Sequence, residues 1–287
     1  MRRNRDNRSG EPVSTNLLQA VADSRPRPTN SSVILPPKIY TPPKAVPQPL
    51  GLKRPQIECT HDVSVILGTV NRPDMLRDCV THVRQAIADE FKHEIVVAYG
   101  AENDVSLPWM REQKDIRPIL GGLNGAIEAF NRAYDASRGK YICQINDDVL
   151  VDKNSITLAV RYLEENPTCP GVVFKFDLLD GNGYRNLPTQ YVHPNQMVAR
   201  RSTCERVINY IGAFWGDSAH RTHPTYGGDS AFGAVCHFLG LKLVNVHGVT
   251  CRDLEFKDEL RARNAQGYTW VEHGAAWWKM FGPYLGR

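Results

Sequence analysis

From residue 61 onward the apolar positions fall into short blocks that switch between two regular spacings. Val63-Ser64-Val65-Ile66-Leu67-Gly68 is a nearly continuous apolar run, the length and texture of a strand buried on both faces. After Asn71-Arg72-Pro73, residues Met75, Leu76, Cys79, Val80, Val83, Ala86 and Ile87 recur at threes and fours, which predicts an amphipathic helix opened by proline. A second strand is predicted over 94–98. Leu123, Ile127, Phe130 and Tyr134 then mark one face of a helix ending near Gly139. A third strand over 141–145, a capped helix over 154–165 with Ile156, Ala159, Val160 and Leu163 inward, and a strand over 171–176 continue the alternation. Strands and helices in turn predict an α/β fold with a doubly wound, mostly parallel sheet. Past residue 180 Gly and Pro break the chain into loops, before a predicted helix over 230–239 and a strand over 241–246.

The first 58 residues have a different texture. Ten of the nineteen prolines precede residue 57, in a segment that can neither propagate a helix nor pair as a central strand, so 1–58 reads as a largely disordered tail or linker, with Val33-Ile34-Leu35 a possible anchor to the body. The same segment carries the positive charge. Residues 1–57 have a net charge of +7 and the remainder −3, so the body gives no electrostatic case for wrapping a duplex, although the tail could touch a polyanion. The body spans 59–252, with a first half to about residue 150 and a second half from 151. Residues 253–287 form an aromatic, helical extension whose Trp270, Trp277, Trp278, Phe281 and Tyr284 are expected to pack on it.

Seven widely spaced cysteines without a Cys-x-x-Cys pair read as reduced, buried thiols. No run of 18 apolar residues exists and the first residues lack the apolar stretch of a secretory signal, so a cytoplasmic protein without an integral membrane segment is expected.

In an open α/β sheet ligands bind beyond the carboxyl ends of the strands. Two polar groups occupy such places: Thr69-Val70-Asn71-Arg72 after the first strand, and Asn146-Asp147-Asp148 after the third. Adjacent carboxylates at a strand end repel one another, and a hard divalent cation that bridges them to phosphate oxygens relieves that repulsion. An acidic turn leading into the next helix is the plainer alternative.

The segments VSVILGTVNRPDMLRDCV, EIVVAYG, FNRAYDASRGKYICQINDDV and YGGDSAFGAVCHFLGLKLV, in this order, resemble family 2 of the glycosyltransferases over roughly residues 62–250. The resemblance implies a GT-A fold, a nucleoside diphosphate sugar as donor, Mn²⁺ or Mg²⁺ as cofactor, and inversion at the transferred sugar. It places Thr69, Asn71, Arg72, Tyr99, Asn131, Asn146 and Asp147 on the donor, Asp148 and His247 on the metal, Asp229 as general base, and Arg200, Arg201 and Gly228 on the acceptor side. Taken singly, several have plainer readings: a helix-surface amide for Asn131, a helix cap for Asp229, a structural imidazole for His247, a solvated basic turn for Arg200 and Arg201.

Three departures from the family pattern stand out. The second strand ends in Ala98-Tyr99-Gly100 where relatives with uridine donors carry paired acids, leaving Tyr99, Glu102 or Asp104 as candidates for the base. Gly228 replaces a Glu, and Asn146 replaces an Asp. A nucleotidyltransferase on a similar sheet and an inert sugar- or partner-binding protein are the competing readings. The acceptor is left open among saccharide, lipid carrier, protein and modified nucleic-acid base.

Overall fold

The computed structural model describes residues 46–121, 124–176, 194–254 and 270–286. The predicted tail up to residue 45, Leu123 and the Trp270 side chain lie outside the described residues.

The first apolar run forms β1 (His61–Thr69), followed by α1 (Pro73–Ala86), β2 (His93–Tyr99), α2 (Leu107–Glu112), β3 (Ile116–Leu120), α3 (Ala126–Ala136) and β4 (Gly139–Gln144). After these come β5 (Val149–Val151), α4 (Ser155–Glu165), β6 (Gly171–Phe176), β7 (Met197–Arg200), α5 (Arg201–Ile211), α6 (Gly228–Phe238), β8 (Val244–Asp253), α7 (Trp270–Phe281) and a 3-10 turn at Gly282–Leu285. Eight strands make one sheet in the order β3-β2-β1-β4-β7-β6-β8-β5. Pairing is parallel between β3, β2, β1 and β4 and between β6 and β8, whereas β7 runs antiparallel to both its neighbours and β5 antiparallel to β8. The sheet is therefore mixed, as expected, with a wholly parallel half that carries the first four strands.

Alternation within β1 explains why its run is continuous. Val63, Val65 and Leu67 point to one face and pack with α1 and α4; Ile66 points to the other and packs with α3, α5 and α6. Every residue of the predicted helical stripe in α1 from Leu76 to Ala86 is buried.

Five elements were not foreseen, among them α5, an eleven-residue helix where Gly and Pro past residue 180 predict loops. Pro108 and Pro118 hide α2 and β3, and β3 tolerates its proline because it is the edge strand. β5 and β7 have three and four residues, too short for a period to show. The last strand also differs: it runs from Val244 to Asp253 rather than over 241–246, continued through a bulge at Gly248, whose φ of 81° suits glycine.

Residues 46–58, counted with the tail, are docked. Leu50 N–H bonds Asn209 O at 2.6 Å, Leu52 N–H bonds the Asn209 side chain at 3.0 Å, and Arg54 pairs with Asp135 at 3.0 Å. At the other terminus Phe281 and Tyr284 are buried in the core beside α6, while Trp278 is exposed. All seven cysteines are free thiols and six are buried. Among the described residues no helix is long and apolar enough to cross a membrane.

Candidate functional site

The sheet order puts β2, β1 and β4 side by side, so the loops leaving their carboxyl ends are neighbours about 5 Å apart. Thr69, the last residue of β1, donates from Oγ1 to Asp147 Oδ2 at 2.8 Å, and the Arg72 guanidinium donates to Asp147 Oδ1 at 3.1 Å. Arg72 also stands 3.7 Å from Asp148. Asn71, at φ 52°, is clamped to the loop after β2: its N–H bonds Asp104 Oδ2 at 2.9 Å, and its Oδ1 accepts Val105 N–H at 3.2 Å. The second Asp104 oxygen accepts Ser106 N–H at 2.8 Å. Asp104 is thus the buried acid that welds the first two loops, while the half-buried Tyr99 ring leans on the core.

Asp147 and Asp148 are 5% and 7% exposed, and one guanidinium faces both. Burial first, and then the Asp148 charge, push the Asp147 carboxyl up to about 6, against the opposing pull of Arg72 and Thr69. Below them Cys79 donates its S–H toward Asn146 O at 3.5 Å, and burial, followed by the two aspartates, raises its pKa well above the ordinary thiol range. It is an inert thiol under an electronegative floor.

The backbone of this acidic turn rests on a residue that pattern reading missed. Gln196, fully buried ahead of β7, accepts Asn146 N–H through Oε1 at 2.8 Å, and Gln144, fully buried at the end of β4, lies beside both. The signal was available in part: Gln144 is the one polar residue in Tyr141-Ile142-Cys143-Gln144-Ile145.

Asp229 lies in the first turn of α6, and a chain of contacts ties that turn to the end of β1. Ala129 and Phe130 of α3 pack over Gly68; Trp215 packs on Phe130 with ring centroids 4.1 Å apart; Gly228 lies against Trp215. A side chain at 228 would bring its Cβ within 2.7 Å of Trp215 Cβ, so the family's Glu cannot fit this backbone. Asn131 holds the Trp215 turn with its whole amide, accepting Trp215 N–H at 2.8 Å and donating to Gly216 O at 2.9 Å. Asn131, expected on the donor, thus clamps the loop that leads to Asp229.

Three expected site residues are not brought together with the others. His247 lies within β8 rather than after it, exposed beside the Gly248 bulge. Asp253, not His247, is the β8 residue that pairs with Val149 just beyond Asp148, six residues and roughly 15–20 Å of strand away. Arg200 pairs with Tyr141, three residues before the end of β4, and spends its guanidinium on the carbonyls of Cys169, Leu163 and Asn166 at the end of α4. Arg201 is buried, bonding Gly139 O at 2.7 Å and Ser137 Oγ at 2.9 Å. Arg201 thus braces the amino end of β4 and Arg200 the connection between α4 and β6, both away from the acidic turn.

Among the described residues no three His, Cys, Asp or Glu side chains converge on one point. The donor set at the turn is two carboxylates and an amide, all oxygen ligands, with one opposing guanidinium. That composition fits a hard divalent cation whose remaining ligands come from phosphate and water.

No curated protein matches the sequence significantly. Solved structures do match the fold. The mannosyltransferase PcManGT from Pyrobaculum calidifontis, in complex with GDP-Man and Mn²⁺, superposes with a TM-score of 0.56 at 20% identity, over 78% of this chain and 67% of its own. TarS 1–349 from S. aureus in complex with UDP-GlcNAc superposes with a TM-score of 0.56 at 13% identity, over 72% of this chain. The same protein with UDP gives 0.53 at 13%, over 67%. This chain spans 62% and 60% of those TarS chains. The fold is GT-A. The family model for glycosyl transferase family 2 matches residues 64–218, more than half of the sequence and the whole of the β1-to-Asp148 site, and the chain belongs to that family.

Proposed function

We propose that the protein transfers a glycosyl group from a nucleoside diphosphate sugar to an acceptor hydroxyl with inversion. The single observation that carries this reading is the buried Asp147-Asp148 pair, facing one arginine at the carboxyl ends of β1 and β4.

Asp148, with Asp147 beside it, would hold Mn²⁺ or Mg²⁺ together with the donor's diphosphate. The cation's chemistry is charge neutralisation on the departing diphosphate. Thr69 and Arg72 fix the orientation of Asp147, so the carboxylates do not have to reorganise when the donor arrives. The nucleoside would lie beside Asn71 and Tyr99, where the Asp104 clamp holds both loops. The solved relatives with GDP-Man and with UDP-GlcNAc carry different bases, so this reading leaves the base open.

Asp229 would accept the proton of the acceptor hydroxyl. As the acceptor oxygen bonds the anomeric carbon from the face opposite the diphosphate, the carbon–oxygen bond to the diphosphate breaks. The proton passes to the Asp229 carboxylate, giving glycoside and free nucleoside diphosphate. Asp229 is half-buried in the first turn of α6, at the end of the loop that Trp215 packs against. The lack of a side chain at Gly228 is a packing requirement of Trp215.

The test is release of nucleoside diphosphate from a panel of UDP-, GDP- and TDP-sugars in Mn²⁺ or Mg²⁺. Slow release from one donor is expected in the wild type, together with loss of at least about 100-fold in Asp148→Ala. Release that persists unchanged in Asp148→Ala removes the metal assignment. Release of pyrophosphate from a nucleoside triphosphate instead would favour nucleotidyl transfer.

A further inference from the structure

Behind the acidic turn three side-chain amides meet, and a single backbone N–H dictates how all of them are turned. The Asn146 N–H can only donate, so Gln196 presents Oε1 to it, at 2.8 Å. Gln144 faces that same oxygen at 3.5 Å and Asn146 Oδ1 at 3.3 Å, and two oxygens require its Nε2 there. Asn146 in turn directs its own oxygen inward, to the Gln144 N–H. Its Nδ2 is what remains: among the described residues none accepts from it, and Asn146 is the half-buried member of the three.

The arrangement works against stability. Gln144 and Gln196 are fully buried, and Gln144 Oε1 and Gln196 Nε2 have no hydrogen-bond partner among the described residues. An unpaired polar atom in a core costs free energy that an apolar side chain at the end of β4 would not. What the two glutamines supply in exchange is one fixed direction of the Asn146 amide.

We infer that Gln144 and Gln196 are positioning residues that hold Asn146 Nδ2 outward, where it donates to an oxygen of the donor's diphosphate. That the ligand is a diphosphate rests on the glycosyltransferase reading above; the direction of the amide rests on the three bonds. A carboxylate at 146, the residue of the family pattern, would accept from Gln144 equally well. It would also turn a second acceptor and a third negative charge outward beside Asp147 and Asp148. Asn146 keeps the inward bond, reverses the outward polarity and leaves the cation to the two carboxylates. Diphosphate oxygens only accept, which matches a fixed N–H.

The test is ¹⁵N–¹H NMR of the full chain titrated with UDP and with GDP in Mg²⁺, the Asn146 side-chain signal being assigned by its absence in Asn146→Asp. A downfield shift of one Asn146 side-chain proton is expected as the bound nucleotide saturates. An unmoved signal at saturation overturns the inference, as does an equal shift with uridine or guanosine alone. Calorimetric titration of the same nucleotide checks the positioning role. Gln144→Met keeps the side chain's length and removes the unpaired Oε1. It is expected to raise the nucleotide Kd about three- to tenfold at a melting temperature no lower than that of the wild type. Asn146→Ala should raise the Kd by a similar factor and the double variant no further, because Gln144 acts through Asn146. An unchanged Kd in either single variant, a rise in Gln144→Met that comes with a lowered melting temperature, or additive losses in the double variant overturn the positioning role. Nucleotide binding with any of these results defeats the inference alone; binding of neither nucleotide by the wild type defeats the transferase reading, and the Asn146 contact with it.

Discussion

Thr69 Oγ1 lies 2.8 Å from Asp147 Oδ2 and donates to it, joining the end of β1 to the turn after β4 across 78 positions of sequence. That bond and the Arg72 ion pair determine where two buried carboxylates point before any ligand is present.

Among the described residues Arg72 is the guanidinium that faces both acids, so removing it weakens the compensation of a buried carboxylate pair. Arg72→Ala is expected to cost about 3 kcal/mol of stability in metal-free protein near pH 7.5. Mn²⁺ should return part of it. Thermal melts with and without Mn²⁺ measure both; an unchanged melting temperature in metal-free protein contradicts the account.

The pH dependence of that stability has a defined sign. Burial raises the Asp147 carboxyl from 3.8 to about 6, so between those values the folded protein keeps a proton that the unfolded chain has released. This group therefore favours the folded state most at low pH, and its contribution declines as pH rises through the interval, by about 3 kcal/mol at most. Asp115, lowered by its bond to Arg84, acts in the opposite direction, so the quantity to measure is the difference between wild type and Asp147→Asn. That difference should fall from pH 4 to pH 7 without metal; a flat difference contradicts the buried-pair geometry.

Gly228→Glu restores the family's residue on paper and should damage the protein. Its Cβ would lie 2.7 Å from Trp215 Cβ, an overlap that costs about 1–3 kcal/mol and shifts the turn bearing Asp229. A lowered melting temperature and a reduced kcat are expected together. Full activity at wild-type stability would show that the turn can yield.

Asn131→Leu removes both bonds to the Trp215 turn and leaves a backbone N–H and a carbonyl without their partners. The expected loss is about 1–3 kcal/mol, with a fall in kcat and little change in donor affinity. Calorimetric titration of the donor separates this clamp from a donor ligand: a large rise in donor Kd would return Asn131 to the donor side.

These cases show what the sequence made legible. Val63 to Gly68 announced a strand buried on both faces because each face of the sheet receives alternate side chains of one run. The buried stripe of α1 was readable for the same reason, at its own period. Thr69, Arg72, Asp147 and Asp148 were readable as neighbours because strand ends in an open sheet converge. His247 falls within β8 rather than after it because Gly248 punctuates the strand without ending it, and a bulge is a property of pairing with β6 rather than of local composition. Arg200 and Arg201 lie away from the acidic turn because β7 runs antiparallel, which sends its last residues toward the amino end of β4. Gln196 stayed hidden because a lone amide has no period, and its meaning lies in one bond to Asn146 N–H.

The central claim is that Asp148, next to Asp147, holds a divalent cation with the donor's diphosphate, and that His247 does not. Calorimetric titration of the donor that the wild type hydrolyses, with and without Mn²⁺, tests it directly in wild type, Asp148→Ala and His247→Ala. The account predicts metal-dependent binding in the wild type and in His247→Ala, and loss of that dependence in Asp148→Ala. Metal-dependent binding that survives in Asp148→Ala, or disappears in His247→Ala, contradicts it.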